Sequence, residues 1–292
     1  MKFILNIFSS LLLFTGASML HAQDVPTTKT SEQNTSILEE KTTAWNPKFN
    51  FSIDNATDYI SDGFVKNPDP ISKTKIEMSI QDFYVSWCGY YDWTNFRDKP
   101  KYDDSRKNAF EEYQYCVGYR HTIKDGAGFA DLIIDISATY KDYPTMSHDN
   151  ADNDHDEEES LIIGLGNMLN SERHSLTAEH RFDYNSASNM TYGQFDTSYS
   201  YKLCKDLKLK LSGSLYWGAP RKMRSQAGSD RGWGIRSLTG KIALDYKLAQ
   251  GFSISPYIGA AYLPDPAVQE HTRSKSYDNS STYGGIKLTY KF

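Results

Sequence analysis

The sequence predicts an all-β protein, a transmembrane antiparallel up-and-down β-barrel of about twelve strands. Three observations lead there. From Pro47 onward the apolar residues recur with a period of two, the links between runs alternate long and short, and aromatic residues are abundant. The 21 Tyr, 14 Phe and 5 Trp in 292 residues exceed what a soluble enzyme carries and suit a barrel with aromatic girdles at both interfaces. The negative mean hydropathy does not conflict with this, because a barrel wall in lipid needs only every second residue to be apolar.

The chain opens with Met1-Lys2, an interrupted apolar run over 3–20, and a small residue at Ala22. That layout predicts a secretory signal peptide over 1–22 and hence export from the cytoplasm. Residues 23–46 are rich in Thr, Ser, Glu and Gln and predict a disordered periplasmic segment. Residues 47–292 are the expected barrel. No later stretch reaches the roughly 20 apolar residues of a membrane helix. A net charge of −5 without a basic block gives no footprint for nucleic acid.

Strand-like runs lie near 48–59, 73–80, 82–94, 109–123, 128–142, 159–168, 174–185, 190–204, 206–218, 234–248, 251–263 and 281–292. In one, Leu207, Leu209, Leu211, Leu215 and Trp217 oppose Lys208, Lys210, Ser212 and Ser214. A soluble sandwich alternates too. The links argue for the barrel: 61–72, 95–107, 143–158, 219–233 and 264–280 are long. Those at 81–82, 124–126, 169–173 and 249–250 are short, and one link, 186–189, is shorter than the pattern wants. Short periplasmic turns and long external loops are the asymmetry of outer-membrane barrels. The last run sets Ile286, Leu288, Tyr290 and Phe292 against Lys287, Thr289 and Lys291. A final aromatic on such a strand resembles the signal read by the outer-membrane assembly machinery, an expected partner alongside outer-membrane lipids and lipopolysaccharide.

In hydrocarbon every backbone polar group must be paired, so the sheet closes and the apolar parity faces lipid. The polar parity then lines the lumen. It holds Glu112, Arg120, Asp131, Asp135, Glu179, Arg181, Asp183, Lys210, Lys241, Asp245 and Lys287, with acids prevailing in the middle strands and lysines in the last four. Such charges line water or pair with each other. A transverse field across a narrow pore, orienting a small polar solute, is one reading. A lumen plugged by ion pairs is the other, since about twelve strands falls between filled and open barrels.

Cys88 and Cys116 share the lumen parity on adjacent strands, and in an oxidising compartment they predict a disulfide. The alternative is two thiols one or two residues out of register. The loop containing Asp149, Asp152, Asp154 and Asp156 offers hard oxygen ligands for a divalent metal, but lacks the glycine of a calcium loop. It reads rather as a solvated external loop. A lipid hydrolase needs serine and histidine together at the outer rim. His174 and His121 fall near tight turns and His180 on the lipid parity, so the chain is not expected to be an enzyme, and no cofactor is implied.

The segment Thr57-Asp58-Tyr59, with Gly63 and the aromatic run Phe83 to Trp87, resembles the start of the uncharacterised bacterial barrel family Gcw_chp over about forty residues. It departs where many members carry Arg before the glycine; here Asp62 stands. The resemblance implies an outer-membrane barrel and no substrate. The expected function is a narrow channel for small polar solutes in a Gram-negative outer membrane. A plugged barrel displaying loops, with Arg221, Lys222, Arg224, Arg231 and Trp233 as contacts, is the rival.

Overall fold

A computed structural model describes residue 46 onward, apart from 62–63, 68–69, 94–109, 127, 129, 144–156, 186–189, 220–231 and 275–278. The expected signal peptide, nearly all of 23–46, the carboxylates Asp149, Asp152, Asp154 and Asp156, and the loop cations Arg221, Lys222, Arg224 and Arg231 lie outside the described residues.

In chain order the elements are β1 (Lys48–Ala56), the short pair β2 (Tyr59–Ser61) and β3 (Phe64–Asn67), β4 (Ile71–Ile80), β5 (Phe83–Asp92), β6 (Phe110–Ile123) and β7 (Asp131–Asp142). There follow β8 (Glu157–Asn170), β9 (His174–Asn185), β10 (Met190–Lys202), β11 (Leu207–Gly218), β12 (Gly234–Ala249), β13 (Phe252–Tyr262), a helix α1 (Pro266–Ser274) and β14 (Ser280–Lys291). Twelve strands, β1 and β4 to β14, form one closed antiparallel barrel in sequential order.

Closure falls between β1 and β14, where Phe51 faces Tyr290 and Asp54 faces Lys287. Phe49 and Phe292 exchange backbone hydrogen bonds at 2.8 and 3.0 Å, and their rings stack at 5.1 Å. The barrel sheet thus closes on itself and presents no free edge to hydrocarbon.

The alternation decides which face is which. In β8, Leu161, Ile163 and Leu165 point outward and are 45–52% exposed. On neighbouring β7, Asp135, Ser137 and Thr139 point inward and are buried. An outer face this apolar with an inner face this polar inverts the soluble pattern, in which the apolar face is covered. Aromatic rings gather near both rims of the outer face. At the tight-turn end Phe83 packs on Tyr119, and His174 on Tyr199 and Tyr201. At the loop end Tyr91 meets Trp93, and Trp217 meets Phe182 and Trp233.

The tight turns use left-handed backbone at Gln81 (φ 54°), Asp125 (φ 53°) and Gly251 (φ 75°). At Gly251 a Cβ would come within 2.3 Å of the Lys291 carbonyl oxygen, so the β12–β13 turn and the last strand are fitted to a bare glycine.

Two long links carry structure that the alternation does not reveal. The link after β1 contains the β2–β3 hairpin, so the first strand stops at Ala56 rather than running on to 59. The link after β13 contains α1, capped by Asp265, whose Oδ1 accepts from the amide of Ala267 at 2.8 Å.

The expected Cys88–Cys116 disulfide is corrected: both are free thiols. Cys88 faces Gln114 and Cys116 faces Ser86, two residues out of register. Facing pairs can bridge, whereas diagonal neighbours lie roughly 7–8 Å apart. The two strands pair symmetrically about residue 101, the middle of the 95–107 link, and Cys88 lies 13 residues from it against 15 for Cys116.

Candidate functional site in the barrel lumen

The inner face contains a cavity of about 800 Å³. Its lining runs from Gln81 and Asp82 at the tight-turn end, past Arg120, Asp135 and Arg181, to Asp183 and Tyr192 near the loop end. A second cavity of about 260 Å³ lies among β1, β4, β11, β12, β13 and β14. Ile60 of the hairpin lines both, so β2–β3 reaches into the lumen. The hairpin is held at its root. The Thr57 amide donates to the Gly284 carbonyl at 2.9 Å, the Gly284 amide donates to Thr57 Oγ1 at 3.1 Å, and Ser281 Oγ donates to Asp58 Oδ2 at 2.6 Å.

Strand order brings four of the sequence-predicted charges into one ladder. Arg120 on β6 reaches Asp135 on β7 at 2.9 Å and Glu179 on β9 at 2.6 Å. Glu179 also meets Arg181 Nε at 3.2 Å, and Arg181 reaches Asp196 on β10 at 2.6 Å. Asp196 further accepts from Ser214 Oγ at 2.5 Å and Gln194 Nε2 at 2.6 Å. Tyr84 on β5 closes the other end, donating to Asp135 at 2.9 Å. The ladder therefore spans β5 to β11. Gly164 on β8 makes room for it: a Cβ there would lie 3.2–3.4 Å from Asp135, Glu179 and Arg181.

The remaining predicted residues distribute unevenly. Lys210 pairs with Asp245 at 2.6 Å, and Asp245 also accepts from Ser255. Glu112 is almost wholly buried and accepts from Gln114. Asp131 accepts from the Asp125 amide at 3.1 Å and so serves a tight turn at the rim, not the bore. Lys241 lines the smaller cavity with its Nζ 4.9 Å from the centre of the Tyr257 ring. Lys287 faces Asp54 across the closure seam.

Lumen tyrosines are what sequence reasoning missed. Tyr84 lies over Gly118, Tyr283 over Gly259 and Tyr257 over Gly285; a Cβ at each glycine would fall 2.4–2.5 Å from the end of its tyrosine side chain. The rings lie against the wall only because the facing or neighbouring position is bare. The signal was present as Tyr257/Gly259 and Tyr283/Gly285 on the lumen parity of adjacent strands, with Tyr257 opposite Gly285 and Gly259 opposite Tyr283.

The histidines form no catalytic grouping with serine side chains among the described residues. His180 points outward and accepts from Trp217 Nε1 at 3.0 Å. His174 contacts Tyr199 Oη at 2.7 Å, and His121 contacts Asp82 at 2.7 Å.

Fold and site together define a closed twelve-stranded barrel with an apolar exterior and a charged, cavity-bearing lumen. Solved structures similar to it include the KdgM porin in complex with disordered oligogalacturonate, at 10% identity over 84% of this chain and 99% of that one, TM-score 0.47. The NanC porin matches at 14% identity over 83% and 100%, TM-score 0.47. An outer membrane channel from Pseudomonas putida F1 matches at 7% over 84% and 94%, TM-score 0.46. Likeness at that level assigns no substrate. No family model and no curated protein matches the chain, so the resemblance to Gcw_chp gains no support.

Proposed function

We propose that the chain is an outer-membrane channel that passes small polar solutes through a narrow, water-filled lumen. The observation that carries this reading is the larger cavity, which extends from the tight-turn rim at Gln81 and Asp82 towards the loop end at Tyr192. Its walls hold both signs of charge, which line water or pair with each other. The apolar outer face and paired rims of aromatic residues suit a bilayer bounded by two interfaces. Acids prevail along β5 to β10 and lysines along β11 to β14 and β4, so a polar solute inside would meet a transverse field.

A plugged barrel displaying its loops is the second reading, and the ion-pair ladder favours it, since paired charges across neighbouring strands narrow the bore. Solute flux separates the two. Liposomes carrying the full refolded chain should swell in isosmotic arabinose and swell more slowly in a trisaccharide. Vesicles that swell in neither, with folding shown by heat-modifiable gel migration, would leave the plugged barrel standing.

A further inference from the structure

Two sets of lumen cations contrast. Arg120, Arg181, Lys75, Lys141 and Lys210 each lie within 4 Å of a carboxylate. Among the described residues Lys73, Lys241 and Lys287 form no ion pair. Lys73 and Lys241 both line the smaller cavity, and each ammonium rests over a tyrosine face instead. Lys73 Nζ is 4.7 Å from the Tyr90 ring centre, and Lys241 Nζ is 4.9 Å from that of Tyr257. A ring face occupies only part of an ammonium's donors, and although Lys73 also interacts with the Tyr90 hydroxyl, each ammonium keeps N–H groups that can reach a further acceptor.

The carboxylates nearby are already engaged. Asp54 faces both Lys73 and Lys287 in the strand register and accepts from Tyr257 Oη at 2.7 Å. Asp58 accepts from Ser281 Oγ. Within the cavity lining Lys73 and Lys241 balance Asp54 and Asp58, and Lys287, which faces Asp54 from the closure seam without lining the cavity, adds one positive charge beside it.

We infer that the smaller cavity is a binding site for the carboxylate of a small organic monoanion, held between Lys73 and Lys241 with its body against the tyrosines. Several features select that class. One surplus positive charge matches a monoanion better than a dianionic phosphate, whose second charge would face Asp54 and Asp58. A volume of about 260 Å³ holds about nine waters' worth of matter, or a solute of similar heavy-atom count. Tyr257 and Tyr283, which meet edge to face with their hydroxyl ends over Gly285 and Gly259, together with Ile60 and Ile71, give aromatic and apolar surface beside the lysines. The inference rests on the channel reading for its physiological sense, since it names the solute class that the bore would select.

Benzoate and benzamide test it, being matched in size and differing in charge. Titrated into the full chain refolded in detergent and followed by calorimetry, benzoate should bind saturably and benzamide about ten- to a hundredfold more weakly, as expected for charge-assisted hydrogen bonds. Lys241→Gln and Lys73→Gln should each weaken benzoate by about tenfold or more. Lys208→Gln, near a tight turn and outside the cavity, should leave it unchanged. Heat-modifiable migration establishes that each variant is folded. Equal binding of the two probes, no saturable binding, or benzoate affinity untouched by both cavity-lysine changes would overturn the inference. A barrel that conducts in bilayers yet binds no benzoate loses this site and keeps the channel. One that binds benzoate and never conducts keeps the site and loses the channel.

Discussion

The two walls of the lumen draw on the same chemistry and use it in opposite ways. Along β6 to β10, Arg120 and Arg181 alternate with Asp135, Glu179 and Asp196 so that every charge touches its opposite. Along β12, β14 and β4, Lys241, Lys287 and Lys73 stand among tyrosines, with Asp54 shared between them and no ion pair formed among the described residues. A planar guanidinium satisfies two carboxylates at once, whereas a lysine ammonium is a point charge on a flexible stem. The first wall therefore braces the barrel, and the second leaves binding capacity unspent.

The largest effect should come from removing the carboxylate that both arginines share. Glu179→Leu leaves Arg120 and Arg181 facing each other across an apolar patch and should cost about 2–3 kcal/mol, measured by urea unfolding from lipid vesicles. A cost near zero would mean that lumen water already screens the ladder. Next, Gly164→Val drives methyl groups into Asp135, Glu179 and Arg181, contacts already at 3.2–3.4 Å for a single Cβ. Overpacking of that kind costs about 1–3 kcal/mol in the same assay. On the opposite wall Lys241→Met should leave stability within about 0.5 kcal/mol, or raise it, because no ion pair is lost. Its expected signature is electrical: reversal potentials in a salt gradient should move toward cation preference. The smallest effect is the salt dependence of that shift. Between 0.1 and 1 M salt the screening length falls from about 10 to about 3 Å, so the difference between Lys241→Met and the wild type should shrink.

Much of this was legible before any coordinates. The twelve runs, their inward and outward parities and the long–short rhythm of the links all follow from a side-chain period of two, which a membrane barrel enforces along every strand. What the alternation could not supply is anything that depends on register between strands. Cys88 and Cys116 illustrate this: they share a parity, but they lie 13 and 15 residues from the hairpin centre at 101, and that mismatch of two keeps them from facing each other. Asp131 lay on the right parity, yet one residue type cannot say whether a lumen-facing acid sits in the bore or caps a turn at its rim. The β2–β3 pair, only three and four residues long, is too short to show a period. The Thr57-Asp58-Tyr59 segment, noted for a family resemblance, marks instead where that hairpin is pinned to β14.

The ladder itself was half visible. Arginines and acids on the middle strands announced complementary charge, but the sharing of Glu179 by two arginines needed the pairings β6–β7, β7–β8 and β8–β9 in fixed register. The tyrosine-over-glycine contacts were likewise written in the sequence as pairs two residues apart, and only their apposition across β13 and β14 gives them meaning.

Single-channel recording of the full refolded chain in a planar bilayer puts the open lumen to the most direct test. Discrete, stable conductance steps that benzoate reduces and benzamide leaves unchanged are the predicted result. A bilayer that stays silent while the inserted protein shows heat-modifiable migration would contradict the account and leave a braced, closed barrel in its place.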